Sequence, residues 1–322
     1  MSIVAAGRTA IQRQLLTLPI PLAVLLLTLV AAAVVAPSFY SEANLTNLSE
    51  QIAVLGLVTA GQFLVLLVGG LDLSVGAVMG MTAVVIGRPS AGTVAGFAGL
   101  LAVALALGAA VGLTNGLLVV KRKVPAFVVT LGMFVLLGGA RLAYTGGAFS
   151  GTVPGVARTL ATSAVGPVPL AIPFLVAVSL ILAYLLYWTP YGRRLYATGT
   201  NQDAAWLSGV PTGRIIVSAF VLCSLLAVLA GWALTAYVGY VDQTLGNGTE
   251  LDSIAAALIG GASFVGGRGQ LGGVLTGALL VSVLVNLVVV LGLALQWQEI
   301  VKALVVLIAV ALGALLRRDP HT

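Results

Sequence analysis

GGLDLSVG, residues Gly69–Gly76, places a carboxylate, Asp72, between apolar side chains and four glycines. The chain around it explains why that matters. Of its 322 residues, 60% are hydrophobic and only 7% charged, with a mean hydropathy of +1.15. A soluble domain carries about 25% charged residues, so this chain has too little polar surface to face water. Apolar runs near twenty residues recur along it, each long enough to cross about 30 Å of hydrocarbon as a helix. Continuous runs such as AVLLLTLVAAAVVA (Ala23–Ala36) exclude the alternating strands of a membrane barrel. The reading is an all-α polytopic membrane protein, one transmembrane domain over residues 1–322, with the first apolar run retained as a span.

Ten spans are expected: Leu15–Ala36, Ile52–Leu71, Val75–Gly87, Thr93–Val120, Pro125–Tyr144, Pro169–Trp188, Ile215–Tyr237, Ile254–Gly267, Leu271–Leu295 and Ile300–Leu316. With the N-terminus inside, eleven basic residues fall in cytoplasmic segments, among them Lys121, Arg122, Lys123, Arg193, Arg194, Arg214 and Arg268. Four fall outside: Arg88, Arg141, Arg158 and Lys302. That asymmetry puts both termini in the cytoplasm. It also accounts for the pI of about 9.8 without nucleic acid. Glu42, Glu50, Asp242, Glu250, Asp252 and Glu299 then lie in external loops.

Two expected spans are short, and each adjoins a glycine-rich break: GGLDLSVG before Val75–Gly87, and GGRGQLGG (Gly266–Gly273) after Ile254–Gly267. In transporters, glycine-interrupted segments in both halves point to the solute's route. Asp72 and Ser74 precede a new helix, where their oxygens can cap free N–H groups. The same polar break can instead line or gate a pathway, and both roles can hold together. Gly70 belongs to this broken region. Gln62, Asn115 and Thr130 are uncharged polar residues on spans, suited either to brief contacts with a neutral sugar or to bonding a neighbouring helix.

Between the sixth and seventh spans, Thr189–Arg214 forms the longest cytoplasmic loop. Within it NQDAAWLSGV reads as a short helix begun by Asn201 or Asp203 and stopped by Gly209 and Pro211. The sequence here resembles the permease subunits of bacterial ATP-binding-cassette importers for monosaccharides, of the ribose, xylose, galactose and arabinose type. The residues that carry the likeness are GGLDLSVGAVMGMTAVV (Gly69–Val85), VPAFVVTLGMF (Val124–Phe134), YATGTNQDAAWLSGV (Tyr196–Val210) and Glu250–Val281. The resemblance implies a type II importer-like permease in the bacterial inner membrane, acting as a homodimer. It implies an ATP-binding-cassette ATPase subunit inside and a periplasmic or extracellular sugar-binding protein outside. It makes Asn201, Ala204, Ala205, Ser208 and Gly209 the helix that docks on the ATPase. Trp206 departs from the small or basic residue usual in that family.

Catalysis has no residues to use. The lone histidine, His321, and the single cysteine, Cys223, give neither a metal cluster nor a disulfide, and the serines have no histidine base in the membrane. None of the three lysines follows a glycine, so there is no phosphate-binding loop and ATP must be bound by a partner. No cofactor of the chain's own is expected. Permeases for nucleosides or branched-chain amino acids remain alternatives, as does a proton-coupled secondary transporter using Asp72.

Overall fold

The computed structural model describes residues 19–88, 92–147, 151–153, 155–165, 168–294, 296–297, 300 and 303–304. In chain order its elements are α1 (Pro19–Val35), a 3-10 turn (Pro37–Tyr40), α2 (Glu42–Leu67), α3 (Val75–Ile86), α4 (Val94–Arg122), α5 (Ala126–Thr145), β1 (Gly151–Thr152), α6 (Gly155–Thr162), β2 (Ala164–Val165) and β3 (Val168–Pro169). They continue with α7 (Ala171–Tyr187), α8 (Pro190–Thr200), α9 (Gln202–Leu207), α10 (Thr212–Val238), β4 (Tyr240–Val241), α11 (Thr249–Ile259) and α12 (Leu271–Val290). The strands form two small antiparallel pairs, β1 with β4 and β2 with β3.

α2 is the axis of the bundle. From Ile52 onward its residues are apolar nearly all round, and from Ala53 to Leu67 all are buried, as such a helix must be. α10 lies against it, and Gly61 permits the contact: a Cβ there would sit 3.1 Å from the Cys223 carbonyl oxygen. α4 approaches the same α10 through Gly108, Gly112 and Gly116, which recur every four residues on one face of the helix. A reciprocal amide pair, Asn44 to Asn286 at 2.9 Å and back at 3.1 Å, ties the start of α2 to α12. Trp232 donates to the Ala157 carbonyl at 3.1 Å, pinning α6 onto α10.

Among the described residues, five helices are long and apolar enough to cross a membrane: α2, α4, α5, α10 and α12. The count becomes six if α7 and α8, bent by 71° at their junction, act as one broken span. The described residues therefore do not establish ten crossings. α1 and α3 are shorter apolar helices, and residues 15–18 and nearly all of the tenth expected span lie outside the described residues.

Three expectations are corrected. The second span begins ten residues early, at Glu42, because Ser41 caps it by accepting the Asn44 N–H at 3.4 Å. Glu50 is therefore a buried helical residue rather than a loop charge. The eighth span is helical only over Thr249–Ile259.

Candidate functional site

Between α2 and α3 the chain runs non-helically through the protein interior, and each predicted polar residue bears on that break. Gly69 turns the chain with φ +76°, a left-handed conformation that glycine adopts without strain. A Cβ on Gly70 would lie 3.0 Å from Val65 Cγ1 and 3.3 Å from Phe220 Cζ, so the backbone is pressed onto its neighbours. Asp72 is fully buried; its Oδ1 accepts the Ser74 N–H at 2.8 Å and the Ser74 hydroxyl at 2.5 Å. Asn115, reaching from α4, donates to Ser74 Oγ at 3.0 Å. Thr130, from α5, donates to the Leu71 carbonyl at 3.2 Å and to the Ala126 carbonyl at 3.0 Å. With its amide oriented to satisfy both groups, Gln62 donates to the Asp72 carbonyl at 3.0 Å and accepts its N–H at 3.1 Å, as a neighbouring strand would.

Gln62, Ser74, Asn115 and Thr130 thus converge on four consecutive residues, Leu71–Ser74. All four are fully buried. Gln62 and Thr130 pair backbone groups that helix geometry leaves free there, and a buried backbone group left unpaired costs about 1–3 kcal/mol, while Ser74 and Asn115 extend the network through side chains. The capping expected from the Ser74 side chain is absent. Ser74 is the residue before α3 but makes no side-chain cap, and Asp72 instead closes a turn onto Ser74 from two residues back. Asp72 Oδ2 and Asn115 Oδ1 have no hydrogen-bond partner.

The second glycine break meets the first. Gly267 N–H donates to the Leu67 carbonyl at 2.9 Å, which is one of the carbonyls freed where α2 ends. A Cβ on Gly266 would lie 2.9 Å from both the Gly69 nitrogen and the Gly199 carbonyl oxygen, and one on Gly267 would lie 2.7 Å from Thr200 Cα. A Cβ on Gly199 would overlap the Leu67 carbonyl. The end of α8 and both breaks therefore touch backbone to backbone, and Tyr196 adds a bond to the Gly269 carbonyl at 2.9 Å.

From that junction the chain enters α9. Asn201 is its cap, accepting the Ala204 N–H at 2.9 Å, in keeping with the sequence pattern. Gly209, φ +84°, ends it, and Val210 N–H returns to the Ala205 carbonyl at 3.0 Å. Asn201, Ala204, Ser208 and Gly209 are exposed; Ala205 alone is turned inward and buried. The helix also presents Trp206, 65% exposed, and Leu207, 77% exposed. The loop expected over Thr189–Arg214 is in fact mostly helix, because α8 precedes α9.

Sequence reasoning missed Gly199 and, although it singled out the Gly266–Gly273 break, did not bring that break against Leu67 and Gly69. The available signal was their pairing with neighbouring polar turns, but glycine is abundant in this chain, with 40 residues.

Comparison with known proteins now bears on this arrangement. A family described as "branched-chain amino acid transport system / permease component" matches residues 44–310. The chain belongs to that family. A ribose import permease of Escherichia coli K12 is 37% identical over 300 residues, covering 89% of this chain and 90% of the relative. A fructose import permease of Rhizobium meliloti is 36% identical, covering 93% and 86%. An autoinducer 2 import permease of Yersinia pseudotuberculosis is 34% identical, covering 84% and 77%. No solved structure matches.

Proposed function

We propose that this chain is the membrane-spanning permease of an ATP-driven importer, working as a pair of copies, that moves a monosaccharide inward after delivery by an external binding protein. Relatives named for ribose and fructose, similar over about nine tenths of the chain, support the sugar. The basic residues at the ends of α4, α8 and α10 favour a cytoplasmic position for α9. There Ala204, Ser208, Trp206 and Leu207 offer an exposed face to an ATP-binding-cassette ATPase, which holds the ATP.

The observation that carries ATP coupling is the junction just above α9. A push on α9 passes through Thr200 and Gly199 directly onto Leu67 and Gly267, the edges of both breaks. Interlocked backbones transmit displacement because no side chain can rotate away. The polar groups gathered at the break, Gln62, Ser74, Asn115 and Thr130, are uncharged and suit a neutral solute. The family's description makes branched-chain amino acids the second reading.

Docking is tested by Ala204→Glu and Leu207→Glu, both at exposed positions. Each is expected to leave the permease folded and to abolish co-purification of the ATPase, because a charge buried unpaired at an interface costs several kcal/mol. Wild-type recovery of the ATPase with both variants refutes the docking assignment. Ala205→Glu is unsuitable for this purpose, as it would break packing inside the chain.

A further inference from the structure

On the side opposite Lys121 and Lys123, the segment between β4 and α11 sinks into the bundle. Gly246 rests on the start of α3: a Cβ there would lie 3.1 Å from Met79 Cβ and 3.2 Å from the Gly80 nitrogen. α3 is only twelve residues in all, about 18 Å of helix. The segment folds on itself through Asp242, whose Oδ1 accepts from Thr244 N at 2.6 Å, Thr244 Oγ1 at 2.8 Å and Leu245 N at 3.0 Å.

Arg141, from α5, holds it down. Its Nη1 donates to the Leu245 carbonyl at 3.2 Å and its Nη2 to the Gln243 carbonyl at 2.5 Å. The guanidinium lies over Gly80, and the Glu250 carboxylate lies over Gly76 one turn away; a Cβ at either glycine would overlap the group above it. Glu250 Oε1 accepts the Gly248 N–H at 3.1 Å, and Gln243 Nε2 donates to Thr145 Oγ1 at 2.8 Å. Three atoms in this small space remain without a partner: one donor, Arg141 Nε, and two acceptors, Gln243 Oε1 and Glu250 Oε2. All three are buried, and Arg141 as a whole is only 7% exposed.

Buried polar atoms without partners call for an explanation. A fixed structural clasp has no use for them, since each is a cost of the closed state. We propose that Arg141 and Glu250, together with Gln243 on the covering segment itself, are the contacts through which the permease receives a neutral, hydroxyl-rich solute, and that segment 242–248 closes them off in this conformation. A sugar hydroxyl both donates and accepts, so one such solute satisfies the mixed set, whereas a simple anion would serve only the donor and a simple cation only the acceptors. Glycines at 76 and 80 leave room for the two charged heads to lie flat on α3. Lifting the segment breaks the two Arg141 bonds, exposes Arg141 and Glu250, and carries Gln243 with it towards the side from which the solute arrives. This rests on the importer reading above.

The test uses the assembled importer of permease, ATPase and binding protein, with D-ribose and D-fructose as probes. Gln243→Ala and Glu250→Gln are each expected to lower sugar uptake about tenfold, the scale of one lost hydrogen bond to a buried or charged partner, with the ATPase still co-purifying. The thiol introduced by Leu245→Cys, at a position buried at rest, is expected to react with a membrane-impermeant maleimide faster once ATP and loaded binding protein are present. The native Cys223 is buried and leaves the label specific. Full uptake in both uptake variants, or a labelling rate of the Leu245→Cys protein that ATP does not change, overturns the proposal. Should Glu250→Gln fail to fold, Gln243→Ala decides alone. If the unaltered assembly shows no sugar-stimulated ATP hydrolysis, the importer reading has failed and takes this proposal with it. Stimulated hydrolysis with unaffected variants defeats this proposal only.

Discussion

Gly112→Ala should destabilise the permease, whereas Gly132→Ala should not, and the difference between them isolates the packing of α4 on α10. A Cβ on Gly112 would stand 2.5 Å from the Phe220 carbonyl oxygen, 2.6 Å from Val221 Cα and 2.8 Å from the Phe220 carbonyl carbon. These are backbone atoms, so no rotamer change relieves the clash. Ordinary contact begins near 3.4 Å, which requires the helices to part by roughly 0.9 Å, enough to forfeit a quarter to a half of the local dispersion energy. Overpacking of this kind costs about 1–3 kcal/mol. A Cβ on Gly132 meets nothing within 4 Å. Both substitutions gain the same helix propensity of about 1 kcal/mol, which cancels in the comparison. Thermal unfolding of the two purified variants in one lipid or detergent measures the difference. Equal stability of the two, or a less stable Gly132→Ala, refutes the glycine-mediated contact.

Asp72→Asn keeps an oxygen for the Ser74 N–H and hydroxyl and should retain most sugar uptake. Asp72→Ala orphans both donors and should lose about 1–3 kcal/mol for each, read as lower thermal stability and yield. Uptake lost equally in the two variants, with the Asn protein folded, would instead favour a proton carried by Asp72. Gly199→Ala forces a methyl group onto the Leu67 carbonyl and to 2.5 Å from the Gly267 nitrogen. It is expected to leave ATPase docking intact while sugar-stimulated ATP hydrolysis falls. Undiminished stimulation would refute the junction as the coupling route.

How much of this was legible beforehand differs from element to element. The all-α membrane class follows from composition, and α3, α4, α5, α7 and α10 begin and end within three residues of the apolar runs that announced them. Hydropathy alone misplaced the start of α2, although Ser41, a good cap residue, stood at the true boundary. α8 was missed because TPYGRRLYATGT contains two glycines and few apolar residues. Those glycines are demanded by tertiary contact, Gly192 against the Leu186 backbone and Gly199 against Leu67. Local propensity could not reveal that. The polar residues of the break could be picked out as polar groups within spans. That they all converge on Leu71–Ser74 depends on how four helices assemble, and no spacing encodes it. Arg141 could be placed near the outer end of the fifth span, but nothing in its local sequence shows that a segment about a hundred residues later folds over it.

The central claim is that this chain imports a sugar only as part of an ATP-driven assembly. The most direct measurement reconstitutes the permease in proteoliposomes with its ATPase and binding protein, and follows ATP hydrolysis across a panel of monosaccharides with leucine included. The predicted result is hydrolysis stimulated by a monosaccharide, sugar accumulation that requires ATP, and no response to leucine. Sugar uptake by the purified permease alone, with no ATPase present, would contradict it.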